Sequence, residues 1–308
     1  MSDNLKKAIL KDVTLLLAEL DFPESSSNTF INALEKILND EEASANLLDT
    51  VRQYEESEKC NYFKMLEDFT VQGEKLGIHK YTVQMLFFFC LAKKLKERYA
   101  ERGIDLEIYY DTLADLRYKL NECLLIYKID GTFVATWFFH HFRLELFALG
   151  RLQFELFHTK YEYTFRGKFY PVGSKVINIH IPRTGTGLKH SQVLEGYRRA
   201  EEMFGDEFGS EPIPFLCDSW LLDPWIPTVL KPDSNLTAFH SDFEIVKTGE
   251  SREYSGLWTV FDRVYTGDIS SLPNDTTLRR AYIERIKANE PFYYGHGMFY
   301  YKNGEFIK

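Results

Sequence analysis

The strongest constraint on the fold is a change in hydrophobic period near Leu149. Before this point, apolar residues recur every three or four positions, which is typical of amphipathic helices. From residue 152 to residue 156, apolar and polar residues alternate, which indicates a strand with one buried face. We therefore expect an α+β chain with a helical domain over residues 1–145 and a domain of mixed β-sheet with flanking helices over residues 146–308.

Periodicity also predicts the elements of each half. Seven helical patterns precede the change of period, at residues 5–20, 30–38, 47–54, 62–69, 81–102, 113–124 and 133–147. The second half contains predicted strands at residues 152–156, 160–169, 176–181, 214–222, 236–246, 255–261 and 292–306. It also contains a short helix or turn at residues 224–230 and a helix at residues 276–288. The stretch 160–169 is expected to pair with the first of these strands.

Composition excludes several functional classes. The net charge of −9 argues against nonspecific nucleic-acid binding, which needs a basic surface. The N-terminus lacks the apolar core of a signal peptide, and the longest apolar run, Met85–Ala92, is too short to span a bilayer. Cys60, Cys90, Cys123 and Cys217 are scattered, which predicts reduced thiols, and no metal-ligand spacing is present. We expect a cytoplasmic protein without a metal, membrane or nucleic-acid partner, and the oligomeric state stays open.

In the middle of the second half, a strand, a loop and a helix follow one another. Isoleucines alternate with Asn178 and His180, which places the two polar residues on one face of the strand. Pro182 ends the strand because proline cannot donate to a sheet ladder. The helix is predicted to begin near Ser191 as its N-cap and to stop at Gly205.

The intervening loop, Arg183-Thr184-Gly185-Thr186-Gly187, has the composition of an anion-binding loop. Glycines let the backbone approach a phosphate, and the helix that follows offers N–H groups and the positive end of its dipole. A loop with two glycines before a helix is more often only a connection. Spacing alone leaves both interpretations open.

Four stretches carry a resemblance to a known family. They are LGRLQFEL at Leu149–Leu156, INIHIP at Ile177–Pro182, CDSWLLDP at Cys217–Pro224 and SNLTAFHSDFEIV at Ser234–Val246. Their order resembles the core of the GNAT (N-acetyltransferase-like) fold. Their amino-acid sequences are similar to those of a subgroup of bacterial acyltransferases. Proteins of this subgroup join a helical N-acyltransferase N-terminal domain to a GNAT-like C-terminal domain. The resemblance therefore covers nearly the whole chain.

The resemblance implies a binding site for acyl-CoA, as a substrate, along the central strand. The implied contacts are Ile179, Ile181, Arg183, Thr184, Gly185, Thr186, Gly187 and Ser191. The pyrophosphate would meet the backbone of the loop and the N-terminus of the following helix. In the family's loop pattern, Gln/Arg-x-x-Gly-x-Gly/Ala, Gly185 and Gly187 fit, whereas Arg183 stands one residue too close to the first glycine. Arg183 remains a candidate phosphate partner from outside the pattern.

Acyl transfer from a thioester to an amine needs a base for the amine proton and donors for the carbonyl oxygen. The resemblance implies that a backbone amide of the central strand is one such donor. His180 is the predicted base, because imidazole groups titrate near neutrality, with a reference pKa of about 6.5. Glu155 and Asp218 are the second and third catalytic candidates. Each of the three competes with a purely structural role.

The general acid stays unassigned. The family often uses a tyrosine on the helix after the second shared strand, and residues 224–230 contain none. Other candidates are Tyr293, Tyr294, Tyr300 and Tyr301, for which a core role is the alternative. Cys217 has no basic neighbour in the sequence, so we expect a buried thiol and not a nucleophile.

These assignments predict an acyl-CoA-dependent N-acyltransferase that moves an acyl group, taken as acetyl, to an unidentified amine by direct attack. The missing tyrosine and the shifted loop leave a noncatalytic acyl-CoA-binding or sensing protein as the alternative. An aromatic-rich sugar-binding protein that uses Phe292–Tyr301 is a third interpretation, but no polar clamp accompanies those residues.

Overall fold

The computed structural model describes residues 3–251 and 254–307, and the chain divides into two compact units, Met1–Phe147 and Ala148–Lys308. The first unit contains six long helices: α1 (Asp3–Glu19), α2 (Glu24–Asn39), α3 (Glu41–Glu56), α4 (Tyr62–Lys75), α5 (Lys80–Glu101) and α6 (Leu106–Tyr127). Helix α5 contacts each of the other five. Its residues Met85, Phe87 and Phe88 are therefore buried on several sides of the helix at once.

Local signals in the sequence explain where these helices begin and end. The side chains of Asp40 and Asp105 accept hydrogen bonds from backbone N–H groups in the first turns of α3 and α6, both over 2.8 Å. Gly77 and Gly103 follow α4 and α5 with φ of 72° and 66°. Glycine adopts this left-handed conformation at little cost, so each residue stops its helix.

The predicted helix at residues 133–147 is helical only over residues 135–142, and its C-terminal end is wrong. A 3₁₀ turn spans Ala135–Phe138, a single helical turn, α7, covers Phe139–Phe142, and strand β1 covers Leu146–Leu149. Leu144 adopts a left-handed φ of 54°, which interrupts the right-handed helix. The aromatic residues of this segment are buried by tertiary packing. Their spacing in the sequence therefore resembles that of one long amphipathic helix, although the segment is not one.

The second unit is built on a mixed sheet of seven strands in the order β1-β2-β5-β6-β8-β7, with β9 paired to β8. After β1, the strands of this sheet are β2 (Leu152–His158), β5 (Lys175–His180), β6 (Ile213–Ser219), β7 (Glu244–Ser251), β8 (Phe292–Lys302) and β9 (Glu305–Ile307), while β3 (Tyr163–Phe165) and β4 (Lys168–Tyr170) form a separate hairpin. Strands β5 and β6 are parallel, while β2 with β5 and β6 with β8 are antiparallel. The predicted α+β class is confirmed.

Among the described residues of this unit, the α-helical segments are α8 (His190–Phe204), α9 (Ile226–Val229), α10 (Asn235–Ser241), α11 (Trp258–Phe261) and α12 (Thr277–Lys287). Helix α8 is the crossover between the parallel strands β5 and β6. It approaches the sheet closely at Gly196, where an added Cβ would lie 3.1 Å from the Leu149 carbonyl oxygen. The helix stops before Gly205 as predicted, although Gly205 keeps a right-handed φ of −56° and continues into a 3₁₀ turn.

One face of the sheet, which we call the helix face, packs against α8. The rings of Phe215 and Phe299 stack with centroids 4.9 Å apart, and Tyr197 of α8 lies 4.8 Å from Phe299. Burial of such aromatic side chains stabilises the contact between helix and sheet.

The opposite face, which we call the hairpin face, is covered by the β3–β4 hairpin. Val176, Leu216 and Met298 pack there against the aromatic side chains of the hairpin. Positive φ values at Arg166 and Gly167, 48° and 75°, make the tight turn of the hairpin. The predicted pairing of residues 160–169 with the first strand is wrong, because β3 pairs with β4 while β2 pairs with β5.

Three further strand predictions need correction. Within residues 236–246, α10 occupies the first part, and its N-cap Ser234 accepts a hydrogen bond from the Thr237 N–H over 3.1 Å. Residues 255–261 are helical, in a 3₁₀ turn followed by α11. Both segments are rich in aromatic residues, which favour strands statistically but pack equally well on short helices. The predicted strand 214–222 ends at Ser219, and a 3₁₀ turn follows.

Candidate active site

Three polar side chains meet on the hairpin face where β2 and β5 pair. The antiparallel register sets Glu155 opposite Asn178. Asn178 Nδ2 donates to Glu155 Oε1 over 2.8 Å, and His180 Nε2 lies 2.8 Å from the same oxygen. Glu155 is only 6% exposed, whereas the His180 side chain retains 24% of its exposure. The structure thus brings two predicted catalytic residues into contact and leaves the imidazole accessible.

His180 Nε2 faces two groups, Glu155 Oε1 at 2.8 Å and Asn178 Nδ2 at 3.0 Å. A carboxylate only accepts hydrogen bonds, so Nε2 carries the proton in the tautomer that pairs with Glu155. The neutral ring then has its lone pair on Nδ1. Asn178 donates to the same carboxylate oxygen and orients it. In the tautomer that pairs with Glu155, Nδ1 is the nitrogen that can take a proton, and Glu155 stabilises the imidazolium that would form.

The sheet opens beside His180. The parallel ladder between β5 and β6 covers the pairs Ile177 with Phe215 and Asn178 with Leu216. Both strands continue past this ladder, β5 to His180 and β6 to Ser219. Backbone groups at the ends of the two strands are therefore not used in pairing β5 with β6, and a substrate can lie between them.

Asp218 stands on β6 at the position that matches His180 on β5, each two residues beyond the last ladder pair. Its side chain is 47% exposed. Partial burial raises the pKa of Asp218, and the charges of His296, His180 and Lys160 oppose this shift. All three predicted catalytic residues therefore lie on the hairpin face around the opening.

The glycine loop follows directly from this opening. Gly185 has a φ of 81°, which favours glycine, and an added Cβ there would meet nothing within 4 Å. Thr184 and Thr186 hydroxyls lie 2.8 Å apart. Arg151, which the sequence analysis missed, donates to the carbonyl oxygens of Pro182 and Thr186 over 2.9 and 3.2 Å. These two bonds fix the loop.

Arg183 forms an ion pair with a carboxylate of the protein. Its guanidinium pairs with Asp262, which also accepts a hydrogen bond from Arg279 Nη2 over 2.6 Å. The side chain of Arg183 is 36% exposed. A phosphate at this loop would therefore have to compete with Asp262 for Arg183. Within the loop backbone, the Thr184 N–H already donates to the Pro182 carbonyl oxygen over 3.1 Å and the Thr186 N–H to Thr184 Oγ1 over 3.3 Å.

The other predicted contacts differ in what they can offer a ligand. Ile179 is 1% exposed and lies opposite Phe154 on the helix face, so only its backbone can contact a substrate. Ile181 follows the last residue of β5 and is half-buried. Helix α8 begins at His190 with Lys189 as its N-cap, so the prediction of Ser191 as N-cap is wrong, and Ser191 lies in the first turn. Lys189 carries no polar side-chain oxygen to cap the helix.

The candidate acids and the cysteine are distributed over different parts of the unit. Tyr301 is 3% exposed, and the Tyr300 hydroxyl lies 2.7 Å from that of Tyr170. The Tyr293 N–H donates to a buried carboxylate, while Tyr294 is 37% exposed near His296. Cys217 is fully buried, and burial raises the pKa of its thiol, which makes it a poor nucleophile.

Three contributors to the site were missed as site residues, and their signals differ. Asn178 shares the polar face with His180, so strand alternation was sufficient to find it. Arg151 and His296 could not be found in this way, because their contacts join strands and loops that are distant in the sequence.

Neither a membrane span nor a metal centre is present in the part of the chain that the structure describes. Across residues 3–251 and 254–307, every helix falls short of the length or the apolarity of a bilayer-crossing segment. Within the same ranges, histidine, cysteine and carboxylate side chains do not converge in threes as metal ligands.

Comparison with known families matches both halves of the chain. Residues 11–144 match the N-acyltransferase N-terminal domain, and residues 146–299 match the GNAT-like C-terminal domain. No curated protein matches the sequence.

Several solved structures share the fold. One is an acyltransferase in complex with decanoyl-CoA and teicoplanin, with a TM-score of 0.72 and 23% identity over 92% of this chain and 86% of that chain. A mutant acyltransferase with octanoyl-CoA has a TM-score of 0.72 and 22% identity over 94% and 87% of the two chains. An acyltransferase with decanoyl-CoA has a TM-score of 0.62 and 19% identity over 93% and 98%. At these identities the similarity shows a common fold.

Proposed function

The chain is an acyltransferase of the family that joins an N-acyltransferase N-terminal domain to a GNAT-like C-terminal domain, and from this premise we propose that it transfers an acyl group from acyl-CoA to an amine. The observation that carries the proposal is the contact between His180 and Glu155 beside the opening between β5 and β6. A base oriented by a buried carboxylate is what amine attack on a thioester requires.

The proposed reaction begins with a neutral amine at the thioester carbonyl. The bond from nitrogen to carbonyl carbon forms while His180 Nδ1 takes the amine proton, and Glu155 stabilises the resulting imidazolium. Backbone N–H groups at the end of β5 support the negative charge on the carbonyl oxygen. The bond from carbon to sulfur then breaks, and the thiolate receives the proton from His180. In these reaction steps His180 both accepts and returns the proton, so no separate tyrosine acid is needed. Residues 224–230 contain no tyrosine.

The glycine loop is the proposed phosphate-binding segment. An added Cβ at Gly187 would lie in ordinary van der Waals contact, 3.5 Å from Asn235 Nδ2, so the side chain of Asn235 borders the loop on that side. Loop residues without bulky side chains, followed by the N-terminus of α8, favour a pyrophosphate. Because Asp262 already holds Arg183, we assign the main phosphate contacts to the backbone.

The acyl group that we propose is of medium length. The related structures hold octanoyl-CoA and decanoyl-CoA, which supports a chain of eight to ten carbons. Acetyl as the transferred group stays a prediction from sequence. An acetyl group and a medium-length acyl group differ strongly in binding free energy, because each buried methylene contributes about 0.8 kcal/mol.

Thermal unfolding with coenzyme A, acetyl-CoA, octanoyl-CoA and decanoyl-CoA tests donor binding. A ligand at 100 times its dissociation constant stabilises the native state by about 2.7 kcal/mol. We expect decanoyl-CoA to reach this stabilisation at a lower concentration than acetyl-CoA. Equal unfolding temperatures with decanoyl-CoA and acetyl-CoA at the same concentration would overturn the medium-chain assignment. A shift without amide formation from any amine would favour the noncatalytic binding protein.

A glycine substitution locates the cofactor in the same assay. Gly187→Ala should weaken the apparent affinity for decanoyl-CoA, read from its thermal stabilisation, by about tenfold or more. The added methyl group would hinder the approach of the pyrophosphate to the loop backbone. The fold should tolerate the change, since the nearest side chain contact is ordinary at 3.5 Å. Gly256→Ala is the matched control, because its added Cβ meets nothing within 4 Å. Identical behaviour of the two variants would remove the loop from the CoA site.

A further inference from the structure

A second cluster of polar and aromatic side chains lies next to Asp218 on the hairpin face. His296 on β8 pairs in register with Asp218 on β6, and His296 Nδ1 lies 3.6 Å from Asp218 Oδ2. The Tyr163 hydroxyl is 3.1 Å from the same ring nitrogen. His296 is only 2% exposed, whereas nearly half of the Asp218 side chain is open to solvent. The buried His296 ring therefore lies directly behind a carboxylate that solvent can reach.

The His296 ring that faces the Asp218 carboxylate is uncharged at pH 7. Burial lowers the pKa of His296, the charge of Asp218 opposes the shift, and the charge of Lys247 adds to it. Because a histidine ordinarily titrates near pH 6.5, this ring is neutral at pH 7. The Asp218–His296 contact is then a contact between a carboxylate and a neutral ring, and a cation can still be attracted to Asp218.

Two exposed tyrosine rings flank the cluster. Tyr161 and Tyr294 pack against the His296 ring with centroid distances of 5.5 and 5.6 Å, and 46% and 37% of their surfaces are exposed. The Lys247 ammonium lies 4.2 Å from the centroid of the Tyr161 ring. Aromatic faces attract ammonium groups, and this one already carries an ammonium of the protein itself.

We propose that Asp218, Tyr161 and Tyr294 form the subsite that binds the ammonium group of the acceptor. The inference rests on the proposed function and names its acceptor class: primary amines on an aromatic or apolar carrier. Asp218 supplies a charge-assisted hydrogen bond, and the tyrosine rings cover the carbon atoms next to the nitrogen. The bound ammonium releases one proton to solvent water before attack, and His180 accepts the second proton from the neutral amine as the new bond forms. The matched positions of Asp218 and His180 on β6 and β5 put the subsite beside the base.

Direct binding of a small amine tests the subsite without turnover. In saturation-transfer difference NMR, 2-phenylethylamine should give a signal with the wild-type protein, whereas the neutral isostere 2-phenylethanol should give a weaker one. Asp218→Asn should remove this difference between the two probes. Asp206→Asn, at an exposed carboxylate in the 3₁₀ turn after α8, is the matched control and should preserve the difference. Equal signals from amine and alcohol in the wild type would overturn the proposal.

Steady-state kinetics with decanoyl-CoA and 2-phenylethylamine give the second readout. Asp218→Asn should raise the KM for the amine about 10- to 100-fold, the loss expected for one charge-assisted hydrogen bond. The KM for decanoyl-CoA and the kcat at saturating amine should stay within about twofold. Lys247→Met should lower the KM for the amine, because it removes a competing ammonium from the Tyr161 ring. A fall in kcat at unchanged KM in Asp218→Asn would make Asp218 a proton-transfer group and overturn the subsite.

The two proposals fail in different ways. If the protein is not an acyl-CoA-dependent transferase, decanoyl-CoA produces no thermal shift and no transfer in any variant. If only the subsite is wrong, wild-type binding and transfer of decanoyl-CoA persist, and the Asp218 and Asp206 variants behave alike towards the amine.

Discussion

His180→Gln lowers kcat/KM for acyl transfer by about 10²- to 10⁴-fold, the range for loss of a positioned general base. Glutamine can still donate a hydrogen bond to Glu155 but offers no nitrogen of suitable basicity. Because the His180 side chain is 24% exposed and glutamine can replace its 2.8 Å contact with Glu155, the substitution should leave the packing of β2 and β5 intact. Stabilisation by decanoyl-CoA in thermal unfolding should therefore stay close to the wild-type value.

The control for this variant is His158→Gln, at the exposed end of β2 in the same unit. It should retain wild-type kcat/KM, because it lies at the other end of the ladder, opposite Lys175. Rates are measured as release of the CoA thiol together with the mass of the amide product. If His180→Gln keeps more than about one tenth of the wild-type activity, a single base in the proposed position is not responsible for catalysis.

Asp223→Ala should lower the free energy of unfolding by about 3–5 kcal/mol, the effect of leaving one partner of a buried ion pair without the other. Asp223 is 1% exposed, and its carboxylate accepts hydrogen bonds from Arg285 Nη1 over 2.8 Å and from the Trp225 N–H over 2.9 Å. The Tyr293 N–H donates to the same carboxylate over 3.2 Å. Arg285 is itself 5% exposed and lies 4.5 Å from the Trp225 ring.

Chemical denaturation followed by tryptophan fluorescence measures this effect. The matched control is Asp275→Ala, because Asp275 also pairs with an arginine of α12, Arg279, but its side chain is 67% exposed. Exposed ion pairs contribute little to stability, so the control should unfold at nearly the wild-type midpoint. Equal losses in the two variants would show that burial of the Asp223–Arg285 pair has no special importance.

Strand alternation was sufficient to place the central residues of the site on the correct face. His180 and Asn178 have the same parity on β5, and Glu155 has the matching parity on β2. This information is local, since successive side chains of a strand point to opposite faces. The sequence also carried a capping signal for α10, Ser234 with the Thr237 N–H, but the aromatic residues of that segment favoured a strand instead.

The contacts between strands could not be predicted in the same way. The parity of β8 places His296 on one of two faces, but only the pairing of β8 with β6 brings it to Asp218. Likewise, the Arg183–Asp262 pair joins positions 79 residues apart. Such contacts depend on tertiary packing, which a single sequence does not specify locally.

The central claim is that acyl-CoA binds with its thioester at the opening between β5 and β6. A crystal structure with the unreactive thioether analogue of decanoyl-CoA tests it most directly. We expect the carbonyl-equivalent carbon on the hairpin-face side of the opening, beside His180, and the pyrophosphate at the backbone of Gly185 and Gly187. An analogue bound elsewhere, with His180 and the glycine loop remote from every ligand atom, would contradict the account.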